Sequence, residues 1–256
     1  MVINVKYYVA TDLHAYLGYL KDALKDAGYY DDDEEKKIII CGDLFDRGNE
    51  TQATQDYILR LLKRNEVILI RGNHEDLFVS LVTKDNGRGL GHHLSNGTFI
   101  TALELSGCTL STALDDSKAL ANAAKKTPFF EQIIPQMLDY YETEHYIFVH
   151  GWIPCKKVGE HLYEPWPDDW RKADIEAWSR ARWINGMDAA RSGVVENNKT
   201  IVCGHFHASY GHAKFENKGS EFGEGADFSP FYGPGIIALD ACTALSGRIN
   251  VIVLED

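Results

Sequence analysis

Short apolar runs that stop abruptly at a polar or charged residue recur along this 256-residue chain. Val2–Ala10 stops at Thr11-Asp12-Leu13-His14, Ile38–Cys41 at Gly42-Asp43, and Val67–Ile70 at Arg71-Gly72-Asn73-His74. Tyr146–Val149 stops at His150-Gly151, and Thr200–Cys203 at Gly204-His205-Phe206-His207. Brief runs rich in β-branched and aromatic residues, bounded by glycine and polar clusters, predict buried strands. Gly235–Leu239 and Arg248–Leu254 predict two more. Between strands the apolar spacing becomes helical: Leu17, Leu20, Leu24 and Ala27 share one face of a helix predicted over Tyr16–Gly28. Helices are also predicted over Thr51–Lys63, Glu75–Val82, Thr98–Ser106, Asp115–Ala124, Pro128–Tyr141 and Ala173–Ala190. Asp31–Lys37 is almost wholly charged and reads as a solvated loop, and Asp85–Gly97 as an irregular one. Cys155–Trp170 and Gly219–Gly233 read as long loops, of the kind that usually serves a site or a partner. Strands alternating with helices predict an α/β fold. No repeat or break in composition divides the sequence, so a single domain over residues 1–256 is expected.

Composition narrows the function classes. With 45% apolar residues the chain can bury a full core. A net charge of −12 argues against nucleic acid as the main partner, because binding a phosphate backbone needs a basic surface. No apolar run reaches membrane-spanning length, so no membrane partner is expected. The first ten residues enter a strand directly and carry no signal-peptide cleavage pattern. Cys41, Cys108, Cys155, Cys203 and Cys242 are odd in number and scattered, which supports neither a disulfide framework nor a zinc cage. A reducing, cytoplasmic setting is the expectation.

The strand ends carry the candidate chemistry. Asp12 and His14 are two residues apart, so on an extended backbone both side chains leave one face. Asp43, Asn73, His150, His205 and His207 occupy equivalent positions after later strands, where ligands bind in α/β sheets. One histidine at a strand end is ordinarily a hydrogen-bonded residue and one Gly-Asp is a turn; the repetition makes the pattern informative. Imidazole and carboxylate donors suit manganese, iron or zinc better than calcium. Seven candidate donors exceed what one ion takes, so two divalent ions bridged by a carboxylate, Asp43, are predicted. His92, His93, His145, His161 and His212 follow no strand end and are read as ordinary histidines.

Asp-Leu-His (12–14), Gly-Asp-Leu-Phe-Asp-Arg-Gly (42–48), Gly-Asn-His-Glu (72–75), His150-Gly151 and Gly204-His205 together resemble the motif set of the phosphoprotein phosphatase family of metallophosphoesterases. That family includes calcineurin-like and bacteriophage-type serine/threonine phosphatases. The resemblance implies a central sandwich of two mixed β-sheets flanked by helices, with a dinuclear centre at the strand ends. It implies Asp12, His14 and Asp43 on one ion, and Asp43, Asn73, His150 and His205 on the other. Two divalent ions roughly 3.5–4 Å apart would neutralise a phosphate monoester and acidify a bridging water, which attacks in line. His74 would then be free to protonate the leaving alkoxide, with Asp46 fixing its tautomer and raising its pKa. Arg47 and Arg180 would fork onto phosphate oxygens, Arg180 through its resemblance to the family's Trp-x-Arg element, with Arg182 as the alternative.

Two positions depart from the family. Ala15 stands where glycine is usual. Gly-His-x-His, ending in His207, resembles the wider superfamily and makes His207 a seventh candidate ligand. The leading functional expectation is a serine/threonine protein phosphatase acting on a phosphorylated substrate. The runner-up is hydrolysis of dinucleoside polyphosphates. From a different class, a non-catalytic scaffold binding phosphorylated partners would have no need of both His74 and Asp46.

Overall fold

A computed structural model describes residues 5–83 and 89–256. Residues 1–4, within the first predicted strand, and residues 84–88, within the predicted loop at 85–97, lie outside the described residues. Strand β1 (Lys6–Ala10) pairs in parallel with β2 (Lys36–Cys41), and β2 in parallel with β3 (Val67–Ile70). Helices α1 (Leu17–Asp26) and α2 (Thr51–Lys63) make the crossovers between them. The last strand, called β11 below for its place in the chain (Ile252–Glu255), pairs antiparallel with β1 and completes a four-stranded sheet.

After β3 the chain runs through helices α3 (Asn73–Thr83), α4 (Leu90–Ser95), α5 (Thr98–Ser106), α6 (Leu110–Asp115) and α7 (Ser117–Ala124). It then enters the second sheet with β4 (Tyr141–Glu142) and β5 (Tyr146–Phe148). A hairpin of β6 (Cys155–Lys157) and β7 (Tyr163–Pro165) leads to helices α8 (Ile175–Ala181) and α9 (Gly186–Arg191). Strand β8 (Thr200–Cys203), helix α10 (Ala208–Phe215), strands β9 (Phe231–Gly233) and β10 (Ile236–Ala238) and the short helix α11 (Thr243–Ser246) follow. The second sheet has the order β4-β5-β8-β10-β9, with β5, β8 and β10 parallel.

The two sheets face each other, which explains why the strands read as nearly continuous apolar runs. Tyr7, Val9, Ile39, Cys41 and Ile70 of the first sheet pack on Phe148, Val202, Ile237 and Leu239 of the second. The alternate residues point outward: Ile38, Ile40 and Leu69 onto Leu20, Leu24, Ile58 and Phe78, and Ile147, Ile201 and Ala238 onto Trp178 and Met187. Ile38, Ile39 and Ile40 are fully buried, each contributing roughly 1.5–3 kcal/mol. Together that is comparable with the several kcal/mol that burying a carboxylate costs, and the carboxylate of Asp43 stands at the end of this strand. The mixed two-sheet sandwich is the architecture the motif set implied.

Several boundaries differ from the sequence expectation, each for a local reason. β2 begins at Lys36, inside the stretch read as loop. Helix α3 begins at Asn73, so Asn73 and His74 lie in its first turn. The helix expected over 128–141 is a π-helical turn at Phe129–Ile133 and a 3₁₀ turn at Ile134–Gln136, after which the backbone is extended. Pro135 lacks the amide that would continue it. The helix expected over 173–190 divides into α8 and α9 because Asn185 caps a new start, its side chain accepting from the Met187 amide at 3.0 Å. Asp116 likewise separates α6 from α7 by accepting from the Lys118 amide at 2.9 Å.

Candidate metal centre

The loops after β1 and β2 zip together: the His14 amide donates to the Asp43 carbonyl at 2.9 Å and the Ala15 amide to Leu44 at 2.8 Å. A left-handed backbone lets these tight loops aim side chains back into the site. Asp12, His14, Asp43, Asp46, Arg47 and His205 all have positive φ, six of the eleven non-glycine residues that do among those described. Such conformations persist where surrounding structure over-determines them, and they cluster at functional sites. Gly72 serves a different need. A Cβ there would lie 2.2 Å from Asp43 Oδ1, so only glycine lets the two loops meet.

Two groups of donors assemble. His14, Asp43 and His74 form one, and Asp43, His150 and His205 the other; within each, the ligand atoms lie within 4.8 Å of one another. Asp43 is common to both, as a bridging carboxylate must be. Its Oδ2 is 3.8 Å from the Nε2 atoms of His14 and His74, and its Oδ1 is 3.4 Å from His150 Nε2. Asn73 joins the second group, with Oδ1 at 2.7 Å from His150 Nε2. A third group, Glu144, His145 and Asp256, lies toward the surface, where His145 and Asp256 already pair at 2.6 Å.

The imidazoles sort into two kinds by what holds the ring nitrogen facing away from the cluster. His14 Nδ1 meets the Phe45 carbonyl at 2.8 Å and His150 Nδ1 meets the Cys41 carbonyl at 2.8 Å. A carbonyl can only accept, so each of these rings carries its proton there and turns a lone pair inward, as a metal ligand does. His74 is different: its Nδ1 meets the Asp46 carboxylate at 2.6 Å. Asp46 is itself fixed by the hydroxyls of Thr98 (2.8 Å) and Thr101 (2.6 Å).

These residues fit divalent cations on a specific observation. With its own proton on Nδ1, donated to the Cys41 carbonyl, His150 presents a lone pair beside the Asn73 amide oxygen, and two acceptors at 2.7 Å repel unless a cation binds both. Burial holds the His150 pKa down to about 4, so the ring does not supply that cation by protonation. Burial pushes Asp12 up to about 6 and Asp43 well above the ordinary carboxylate range, Asp43 further under the charges of Asp12 and Glu75. Carboxylates pushed up beside imidazoles pushed down are what a pocket shaped for bound cations shows without them. Binding at 100 times Kd would stabilise the fold by about 2.7 kcal/mol, and at about 2–4 °C per kcal/mol the melting temperature rises by roughly 5–11 °C. Thermal melts with excess manganese and with EDTA should show that rise; identical melts would contradict it.

Other sequence expectations fare unevenly. Asp12 belongs to neither donor group; its Oδ2 accepts the His205 amide at 3.0 Å, so it braces the loop that carries His205. His207 is also outside both groups: its Nε2 meets Glu221 at 2.9 Å and its ring stacks on Phe206. The structure therefore does not place His207 as a seventh donor, because Glu221 takes its inward nitrogen. Arg47 is exposed at the rim, with Nη2 3.4 Å from His74 Nε2. Arg180 is exposed on α8 and pairs with Glu176 at 3.8 Å. Arg182 is buried, with its two terminal nitrogens on Asp76 and Asp139. The expectation that Asp46 raises the His74 pKa is corrected. Burial, then the Arg47 cation, holds the imidazole well below its usual value, while burial lifts Asp46 to about 7.

Sequence reasoning passed over two buried carboxylates. Glu75 accepts the amides of Gly72 (2.7 Å), Leu44 (2.9 Å) and Asp43 (3.0 Å), pinning the loops after β2 and β3 together. Its signal was its place in Gly-Asn-His-Glu. Asp240 follows β10 as Asp43 follows β2, and burial and the Asp12 charge lift it to about 7. It repeated the strand-to-carboxylate pattern and was readable on that ground.

Comparison with known proteins agrees with this geometry. The profile of the calcineurin-like phosphoesterase family matches residues 5–209. Among curated proteins, sequence comparison returns no significant match. Of solved structures, one described as a "putative diadenosine tetraphosphatase" is 17% identical and superposes with a TM-score of 0.52, over 99% of this chain and 90% of that one. The cold-active protein-tyrosine phosphatase of a psychrophilic Shewanella species is 15% identical with a TM-score of 0.54, over 98% of this chain and 75% of that one. These likenesses establish a shared fold. With the family match covering most of the sequence and the donor groups assembled at the strand ends, the chain belongs to the calcineurin-like phosphoesterases, hydrolases of phosphate esters.

Proposed function

We propose that this phosphoesterase is a metal-dependent phosphomonoesterase of the serine/threonine protein phosphatase type. One observation carries the reading: the buried Asp46–His74 pair stands beside Asp43, the carboxylate common to both donor groups, with the exposed Arg47 reaching His74 Nε2. His14, Asp43, Asn73, His150 and His205 would hold two divalent ions, manganese by preference or iron or zinc. When bound, the ions supply Lewis acidity toward the phosphate oxygens and a hydroxide nucleophile near neutral pH. Arg47 binds a phosphate oxygen and orients the ester. In doing so it leaves His74 Nε2, and its cation, now neutralised by the phosphate dianion, no longer depresses the imidazole. His74 takes up a proton at Nε2 and passes it to the departing alkoxide, while Asp46 holds Nδ1–H so that Nε2 stays aimed outward. Arg180, exposed on α8, is proposed as a second phosphate contact that would have to leave Glu176 to reach it.

A second reading, hydrolysis of dinucleoside polyphosphates, draws support from Tyr16 and Tyr19. Their rings stack at 5.7 Å, and the Tyr16 hydroxyl donates to the Arg47 carbonyl at 3.3 Å, which sets an aromatic surface beside the phosphate arginine. A nucleobase lying on such a surface gains roughly 1–3 kcal/mol. The fold shared with the diadenosine tetraphosphatase described above points the same way. Five free cysteines support a reducing, cytoplasmic setting, and no described helix is long and apolar enough to cross a membrane.

Turnover of a phosphoserine peptide against diadenosine tetraphosphate, both with manganese, separates the two readings. We expect kcat/KM for the peptide to exceed that for the dinucleotide by about tenfold or more, the equivalent of 1.4 kcal/mol. The reverse order would transfer the assignment to the second reading, and turnover of neither would reject both.

A further inference from the structure

Outside the donor groups, a polar cluster is centred on a buried arginine. Arg182, at the C-terminal end of α8, is 4% exposed. Its Nη1 donates to Asp76 Oδ2 at 2.7 Å, and its Nη2 pairs with Asp139. Asp76 also accepts Arg71 Nε at 2.7 Å and the Ser179 hydroxyl at 3.2 Å. Each member adjoins part of the second donor group. Asp76 lies in the first turn of α3, three residues after Asn73, and Arg71 lies two residues before it. The ring of Trp183, the residue after Arg182, meets the His205 ring edge-on at 5.8 Å. The preceding carbonyl, Ala181, accepts the Trp152 amide at 3.1 Å and leaves room only for glycine at 151, next to His150.

We infer that the Asp76–Arg182 pair positions the second donor group, setting where Asn73 and His205 stand relative to His150 and Asp43. The inference rests on the two-ion reading above and deepens it. The loops after β3 and β8 belong to different sheets, and within this cluster Asp76 joins α3 to α8 through Arg182 and the Ser179 hydroxyl. A buried ion pair is a poor source of net stability, since desolvation offsets attraction, so its use here is geometric. His14 is held independently of this pair, by the Phe45 carbonyl on the other side of Asp43. Partners that orient metal ligands typically change metal affinity by about 10–100-fold when removed.

The test is a manganese titration of the whole protein, followed by electron paramagnetic resonance and calorimetry, on wild type and on Asp76→Asn. The expected result is two ions in wild type. In the variant one site weakens by about 10–100-fold, while the other keeps its affinity within about twofold and kcat recovers when manganese saturates the weakened site. Arg171→Ala, which breaks a surface pair with Glu142 far from the donors, controls for general loosening and should leave both manganese affinities unchanged. Asp76→Asn with both affinities intact, or with both weakened alike, would overturn the inference while leaving the two-ion reading in place. Wild type that takes up no manganese would overturn that reading, and this inference with it. Should Asp76→Asn fail to fold, Arg182→Lys retains the charge but removes the guanidinium fork that spans Asp76 and Asp139, and the same outcomes decide.

Discussion

Replacing Asp43 with asparagine is expected to disable both donor groups at once. Asp43 is the residue they share, with Oδ2 toward His14 and Oδ1 toward His150. Asparagine keeps the shape but loses the negative charge and one acceptor oxygen. Each cation provides several kcal/mol of charge stabilisation in phosphoryl transfer, so the loss should be about 10³-fold or more in kcat/KM. The fold should survive. Burial holds the Asp43 carboxyl well above its usual pKa, which means the ionised form is costly without cations. The asparagine variant, stripped of metal, should therefore melt at or above the temperature of metal-free wild type. Retention of two manganese ions, or activity within tenfold of wild type, would show that Asp43 is not the bridge.

The second large effect is expected from His74→Asn. His74 lies within donor distance of His14 and Asp43, yet its Nδ1 is held by a carboxylate where the His14 and His150 rings are held by carbonyls. If it transfers a proton, kcat falls by roughly 10²–10⁴. Manganese should still bind twice, and the loss should be greater for an alkyl phosphate than for p-nitrophenyl phosphate, whose leaving group needs little protonation. If it is a donor, manganese affinity falls and both substrates suffer equally. Asp46→Asn serves as the companion: it leaves the tautomer unfixed, and its loss should follow the same ranking of substrates.

The parts of this fold that were legible in the sequence are those where local chemistry and tertiary packing agree. Ile38–Cys41 and Val67–Ile70 are buried on both faces, so their apolar runs could hardly be anything else, and the donor residues follow their abrupt ends. Where the outcome depended on a competition, sequence spacing misled. The apolar positions of 128–141 fit a helix, but Pro135 interrupts it and the chain turns into β4. The proposed role of His207 followed from the Gly-His-x-His spacing, which cannot reveal that Glu221, fourteen residues on, would claim the ring. Arg180 and Arg182 are two residues apart on α8 and so point in different directions; one is exposed beside Glu176 and the other buried between carboxylates. The pKa of His74 was read from its partner alone, whereas burial of the whole pair decides it. Left-handed backbone at Asp12, His14 and Asp43 was not legible either, since only the packed loops force it.

All of these expectations rest on two cations meeting at the strand ends, and anomalous diffraction from crystals grown with manganese tests that directly. Two peaks are expected, roughly 3.5–4 Å apart, both in contact with Asp43, one beside His14 and the other among Asn73, His150 and His205. A map with no peak there, or with manganese only at Glu144, His145 and Asp256, would contradict it.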